Sequence, residues 1–361
     1  VRVAIVQSWL NQYGGAERVL EQLHEIFPDA PVYTSMFEPR VFPKAYQTWD
    51  IRTSFLQKVP FSRTKHQLML PLYPLAFESF DLSGYDAVVS LSSGFSHGVH
   101  VPEARRHVCY CLTPPRFLWT FDNYVKLEGV GRSARLALQP MVPLLRRWDY
   151  LASRRVGHYV AISEVVRERI RRFYGRESTI IYPSIDTRAF PPSDEIDDYF
   201  LVVSRLIPYK RIDLAIQACN RLKLPLKIVG GGRSLEQLQR IAGPTIEFVG
   251  RLNDAEVRRL YARCRAFLFP GEEDLGLTPI EAQAAGRPVI AYGQGGTRET
   301  ILDGETGLFF AEQTVDSLVD ALQRFDARAF DPVRIRSYVQ GKFDVEVFRR
   351  QFKEFVLHAV S

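Results

Sequence analysis

Short apolar, β-rich runs alternate with helix-length amphipathic stretches along almost all of this chain, and that alternation admits few folds. Parallel strands covered by helices on both faces produce it, because each strand must be apolar on both sides and each crossover needs a helix. In the first half the runs are residues 1–6, 30–37, 86–92, 107–113, 158–163 and 178–183. The second half has 199–206, 225–231, 246–250, 266–271, 287–293 and 306–310, each followed by a helix-length segment. The fold class is therefore α/β. Between the halves stands PSIDTRAFPPSDEIDDY, whose three prolines and acidic run read as a solvated linker with a domain boundary near residue 190. Residues 344–360 carry apolar positions at helical spacing and predict a terminal helix.

A chain of 361 residues, 46% hydrophobic and 24% charged, can bury two ordinary cores. No run of eighteen apolar residues occurs, and VRVAIVQSW has no basic region leading into a long apolar stretch, so the expectation is a cytosolic protein without a spanning helix or signal peptide. Cys109, Cys111, Cys219 and Cys264 lie in apolar segments without zinc-site spacing and read as reduced core residues. Asp194, Glu195, Asp197 and Asp198 could share a hard cation, but beside Pro191 and Pro192 they read as solvated charge, and no metal site is predicted.

The net charge of +6 is concentrated in one half: residues 1–190 hold 24 Lys and Arg against 17 Asp and Glu, whereas 191–361 hold 23 against 24. No nucleic-acid motif accompanies the basic half, so nucleic acid is not expected as a partner. An anionic membrane surface or a phosphorylated acceptor fits the asymmetry. Segment 132–155, with Arg146, Arg147, Arg154 and Arg155, reads either as an interfacial helix or as a domain helix kinked at Pro140 and Pro143.

Two stretches carry chemistry. In FLFPGEEDLGLTPIEAQAAGRPVIAYGQGG (267–296) a strand ends in an acidic loop and a short helix follows, with Thr278 as expected N-cap, Pro279 in its first position and Glu281 completing a capping box. A helix start at the carboxyl end of a strand suits a diphosphate, while Glu273 and Glu281 would face sugar hydroxyls. In LVVSRLIPYKRIDLAIQA (201–218) Arg205 ends a strand and Lys210 precedes a helix, so both can converge on one anion. Lys210 suits a leaving diphosphate, whose developing charge it would stabilise.

The strand-Arg-x4-Lys segment followed by the Glu-x7-Glu loop resembles glycosyltransferase family four, retaining enzymes of the GT-B fold. SWLNQYGGAERVL (8–20) is similar to that family's glycine-rich loop, with Gly14 and Gly15 before a helix starting near Ala16, and GGTRETILDGETGLFF (295–310) extends the likeness. The resemblance implies two Rossmann-like domains facing a central cleft, an acceptor-binding 1–190 and a nucleotide-sugar-binding 191–340. Residues 341–361 would then cross back to the first domain. It also implies that Glu281 binds the donor ribose, Glu273 the transferred sugar, and Arg205 with Lys210 the diphosphate. Backbone N–H groups at Gly276 and Leu277 would complete the phosphate site. GGAERVL, CYCLTPPRFLW and EDLGLTPIEAQAAGRPVIAYGQGG look most like mannosyltransferases of bacterial surface-polysaccharide assembly. GDP-mannose, a glycan or lipid-linked acceptor, no metal, and a peripheral place on the inner face of the membrane follow as expectations.

Leu112 departs from the pattern, because relatives often carry histidine there, directed toward the sugar. His97, His100 and His107 lie nearby in sequence, with His97 the first candidate for the missing polar role. Two other readings stay open. A nucleotide-sugar epimerase would interconvert free sugar nucleotides, and a catalytically weak binding module would not hydrolyse its donor.

Overall fold

A computed structural model describes residues 1–63, 66–122, 135 and 139–361. The described residues form two compact units: one takes those up to Pro183 together with Phe348–Ser361, the other Ser184–Val347.

The first unit is built on a seven-stranded parallel sheet: β1 (Val3–Gln7), β2 (Val32–Thr34), β3 (Ile51–Thr53), β4 (Ala87–Ser92), β5 (His107–Cys111), β6 (His158–Ala161) and β7 (Ser178–Ile180). Their order is β3-β2-β1-β4-β5-β6-β7. β1, β4 and β5 are buried along their whole length, as continuous apolar strands covered on both faces must be. β3 answers to none of the apolar runs, being a three-residue edge strand with half-buried to exposed side chains. The covering helices have sequence-encoded ends: in Glu164–Tyr174 the Ser163 hydroxyl accepts from the Val166 N–H, and Gly175 at φ +62° stops the helix.

The terminal helix Val345–Val360 contributes Phe348 and Phe352 to the first unit, with ring centroids 5.8 and 5.3 Å from Tyr110 on β5. Each buried phenyl stabilises that unit by about 1.5–3 kcal/mol. Arg349 on the same helix pairs with Glu25.

The second unit holds β8 (Phe200–Val203), β9 (Leu226–Val229), β10 (Ile246–Gly250), β11 (Ala266–Phe269), β12 (Val289–Tyr292) and β13 (Gly307–Phe310). All six coincide with apolar runs, and all are parallel, in the order β10-β9-β8-β11-β12-β13. Phe200, Leu206, Ile216, Leu268, Ile290 and Phe310 sit in its core.

Two features of the join differ from the sequence reading. The chain divides between Pro183 and Ser184 and not near 190, because residues 185–190 are bound into the second unit. The Ile185 N–H donates to the Phe343 carbonyl, the Thr187 hydroxyl donates to Asp344, and Arg336 donates to the Thr187 and Phe190 carbonyls. Nor is the acidic run simply solvated. Glu195 and Asp197 pair with Arg263, and Asp198 with Arg265, pinning the segment beside β8. Among the described residues no cluster of three or more His, Cys, Asp or Glu could hold a metal ion. All four cysteines are buried, and none forms a disulfide.

Candidate active site

β8 lies between β9 and β11, so the connections from its carboxyl end and from that of β11 leave to opposite sides. A sheet opens a crevice at such a switch point, where ligands bind in open α/β folds. Both chemistry-bearing stretches of the second half end there.

After β8 the chain makes a short turn, Pro208–Lys210, and Arg211 takes a left-handed conformation at φ +51° before the helix Ile212–Leu222. Arg211 is held there by Asp213 at 3.2 Å. Opposite lies Gly271, on the loop after β11. A side chain at that position would meet the Lys210 carbonyl at 3.0 Å and push the two loops apart by a few tenths of an ångström, so glycine favours their close approach. The approach brings Lys210 and Glu273 into an ion pair, with side chains 14% and 21% exposed: accessible to a ligand, yet largely withdrawn from water. Lys210 Nζ also lies 5.3 Å from the centroid of the Tyr209 ring. Arg205 is exposed, its guanidinium 3.4 Å from the Tyr209 hydroxyl.

The loop reaches the helix Leu277–Ala284 through Gly276, whose φ of +85° a side chain would strain. Gly276 is the N-cap, so the expected capping box at Thr278 and Glu281 does not form, and no side chain caps this helix. Its first N–H groups are therefore available to an anion. Freed from capping, Glu281 turns inward. It is buried, and the fully buried Tyr261 hydroxyl donates to its Oε2 at 2.9 Å. The loop after β12 braces the arrangement: the Gly296 N–H donates to the Glu273 carbonyl at 2.8 Å, and a side chain on Gly295 would lie 2.6 Å from that carbonyl.

The first sheet has its own switch point between β1 and β4. The helix after β1 runs Gly15–Ile26, with Gly14 as a backbone-only N-cap. Glu17 in its first turn is buried beside Gln7, and that burial pushes its carboxyl up to about 7 despite hydrogen bonds that favour the anion. The loop after β4 carries His97 into the interior, where it is 1% exposed. Its Nδ1 lies 3.0 Å from the Ser92 hydroxyl and its Nε2 3.3 Å from Asp149, which also accepts from Trp119 and Tyr174. Burial, the largest single influence, would lower the His97 pKa; the charge and hydrogen bonding of Asp149, with Cys109, together outweigh it and the net shift is upward. His107 is buried against Ser90, and burial with the nearby His97 charge takes it down to about 3. His100 is exposed, 3.8 Å from Glu78. Leu112 follows β5 half-buried, its N–H donating to the Ser92 carbonyl.

The structure thus gathers Arg205, Lys210, Glu273, Gly276 and Leu277 at the switch point of the second sheet, with Glu281 on the helix behind them. Gly14, Gly15, His97 and Leu112 belong to the connections that follow strands of the first sheet, Gly15 opening a helix there. Tyr261 did not stand out in the sequence; Gly295 and Gly296 did, as the start of the 295–310 stretch, but not their bracing of the Glu273 carbonyl.

Residues 13–189 match the family described as Glycosyltransferase Family 4, and residues 183–334 that described as Glycosyl transferases group 1. The chain belongs to glycosyltransferase family 4. Among curated relatives of this chain is a GDP-mannose-dependent alpha-(1-6)-phosphatidylinositol monomannoside mannosyltransferase of Mycolicibacterium smegmatis, 31% identical over 50% of this chain and 56% of that protein. A glycogen synthase of Pseudomonas aeruginosa is 36% identical over 79% of this chain and 56% of its own length. The chain spans about half the length of the curated relatives it matches. Two solved structures share the GT-B fold across essentially the whole chain. Sucrose-phosphate synthase from Thermosynechococcus elongatus has a TM-score of 0.77 at 20% identity, covering 100% of both chains. Anabaena HepE in complex with UDP and glucose has a TM-score of 0.72 at 16% identity, covering 98% of this chain and 99% of that one.

Proposed function

We propose that this glycosyltransferase moves a hexosyl group from a nucleotide diphosphate donor to an acceptor hydroxyl, with retention at the anomeric carbon. The observation that carries the reading is the meeting of Lys210, Glu273 and an uncapped helix start at one switch point. Lys210 and Arg205 hold the diphosphate together with the N–H groups at Gly276 and Leu277. Glu273 accepts hydrogen bonds from hydroxyls of the hexose, and Glu281, oriented by Tyr261, from those of the ribose. As the bond from the anomeric carbon to the β-phosphate oxygen breaks, Lys210 stabilises the charge gathering on that oxygen. The acceptor oxygen bonds to the same carbon, and its proton passes to the departing phosphate. No metal is needed where a side-chain cation does this work.

GDP-mannose is our preferred donor, on the strength of the phosphatidylinositol mannosyltransferase relatives. The glycogen synthase matches favour another sugar nucleotide. For the acceptor we propose a lipid-linked or polysaccharide precursor, bound by the first unit. Part of segment 132–155 lies outside the described residues, but its helix Val142–Ser153 exposes Leu144, Arg147, Tyr150 and Leu151, with Arg154 just beyond, while Val142, Leu145 and Ala152 are buried. Pro143 sits in the first turn of that helix without breaking it. Apolar and basic side chains on one exposed face suit an anionic membrane surface.

A panel of GDP-mannose, GDP-glucose, UDP-glucose and ADP-glucose tests the reading, by thermal stabilisation and then by sugar transfer to a simple alcohol with and without a chelator. We expect GDP-mannose to stabilise the protein most and to be turned over in chelator. Interconversion of free sugar nucleotides would identify an epimerase. Binding without transfer or donor hydrolysis would leave only a binding module.

A further inference from the structure

Lys210 faces two anionic claimants, the diphosphate of the proposed donor and Glu273, and the structure pairs it with Glu273. We infer that Glu273 acts as a donor-versus-product discriminator, reclaiming Lys210 from the diphosphate once the sugar has gone; this rests on the reading of Lys210 as the diphosphate cation.

The geometry makes the competition direct. Gly271 against the Lys210 backbone, and the Gly296 N–H on the Glu273 carbonyl, fix the two loops that carry the pair. Both side chains are largely withdrawn from water, so solvent screens their attraction poorly. With a sugar nucleotide bound, hexose hydroxyls donate to Glu273, leaving Lys210 to the diphosphate. After transfer those hydroxyls depart with the acceptor and the diphosphate gains a negative charge. Glu273 then turns to Lys210, its ion-pair partner in the structure, and its carboxylate repels the phosphate beside it. The same carboxylate therefore favours the loaded donor and disfavours the spent nucleotide. Such discrimination limits product inhibition, because binding energy is retained only while the sugar is present.

The test is calorimetric titration of parent, Glu273→Gln and Glu273→Ala with GDP, UDP, GDP-mannose and UDP-glucose. Glu247→Gln serves as a control, a carboxylate on β10 that pairs with Lys227. Glu273→Gln should bind the spent nucleotide about tenfold tighter than the parent, a gain typical of removing one close like charge. It should bind the matching sugar nucleotide no tighter, and Glu247→Gln should leave both unchanged. Glu273→Ala should show the same inversion without the amide as a possible new donor. Unchanged or weaker nucleotide binding in both variants, with sugar-nucleotide binding lost, overturns the inference and leaves the proposed function standing. Absence of binding by the parent to all four compounds defeats both.

Discussion

Glu17→Gln is expected to stabilise the protein above neutral pH and to leave it unchanged in acid. Glu17 is buried in the first turn of the helix Gly15–Ile26, and burial lifts its pKa from the ordinary 4.5 to about 7. A carboxyl whose folded pKa is raised carries no penalty below its unfolded value. The penalty grows as pH climbs from 4.5 and is complete once pH passes the folded value near 7. That interval corresponds to about 3 kcal/mol, at about 1.4 kcal/mol per pH unit. The favourable place of a carboxylate near a helix N-terminus, about 0.3–1 kcal/mol, is too small to offset it. Glutamine keeps the shape and never ionises, so the variant escapes the whole loss. Urea unfolding of parent and variant at pH 5 and pH 8 measures it: the difference between them should widen by about 2–3 kcal/mol in the variant's favour at pH 8. A difference that stays the same at both pH values would mean that Glu17 is not ionising in a buried environment, and would refute the argument.

Tyr261→Phe removes the hydroxyl that orients Glu281. It should raise the donor KM roughly tenfold, with kcat within a few-fold and the preference for ribose over deoxyribose nucleotides reduced; an equal fall in kcat would place Tyr261 in the chemistry itself. Leu112→His should raise kcat about tenfold with donor affinity unchanged, the lower range for one positioned polar group. A fall in kcat would make Leu112 a packing element for an unusual donor or acceptor. Replacing Arg147 and Arg154 together with glutamate should abolish co-sedimentation with anionic phospholipid vesicles at low salt; binding that survives would exclude this face as the membrane contact.

The sheets were legible because buried parallel strands must be continuous in apolar residues. β3 was not, since Ile51–Thr53 is too short and too exposed at the sheet edge to leave that signature. The site stretches were legible as well: an Arg and a Lys after one strand, and carboxylates after another, stand out against apolar surroundings. That they converge depends on strand order, since β8 and β11 are neighbours only through a crossover that spacing does not encode. Thr278 and Glu281 show how local pattern can mislead. Their spacing fits a capping box, yet the left-handed turn at Gly276 starts the helix earlier and releases Glu281 to Tyr261. The acidic run is largely exposed as its composition implied, but its pairing was not legible, because its partners Arg263 and Arg265 lie far along the chain.

Single-turnover kinetics of Lys210→Ala with a saturating sugar nucleotide tests the central claim most directly. A cation that acts on the leaving diphosphate matters chiefly as charge develops, so the chemical step should slow by about 30- to 1000-fold, or roughly 2–4 kcal/mol. Donor affinity should change by much less, because Arg205 and the helix start still hold the phosphates. A rate within a few-fold of the parent would show that Lys210 plays no part in the departure of the nucleotide, and would contradict the account of this site.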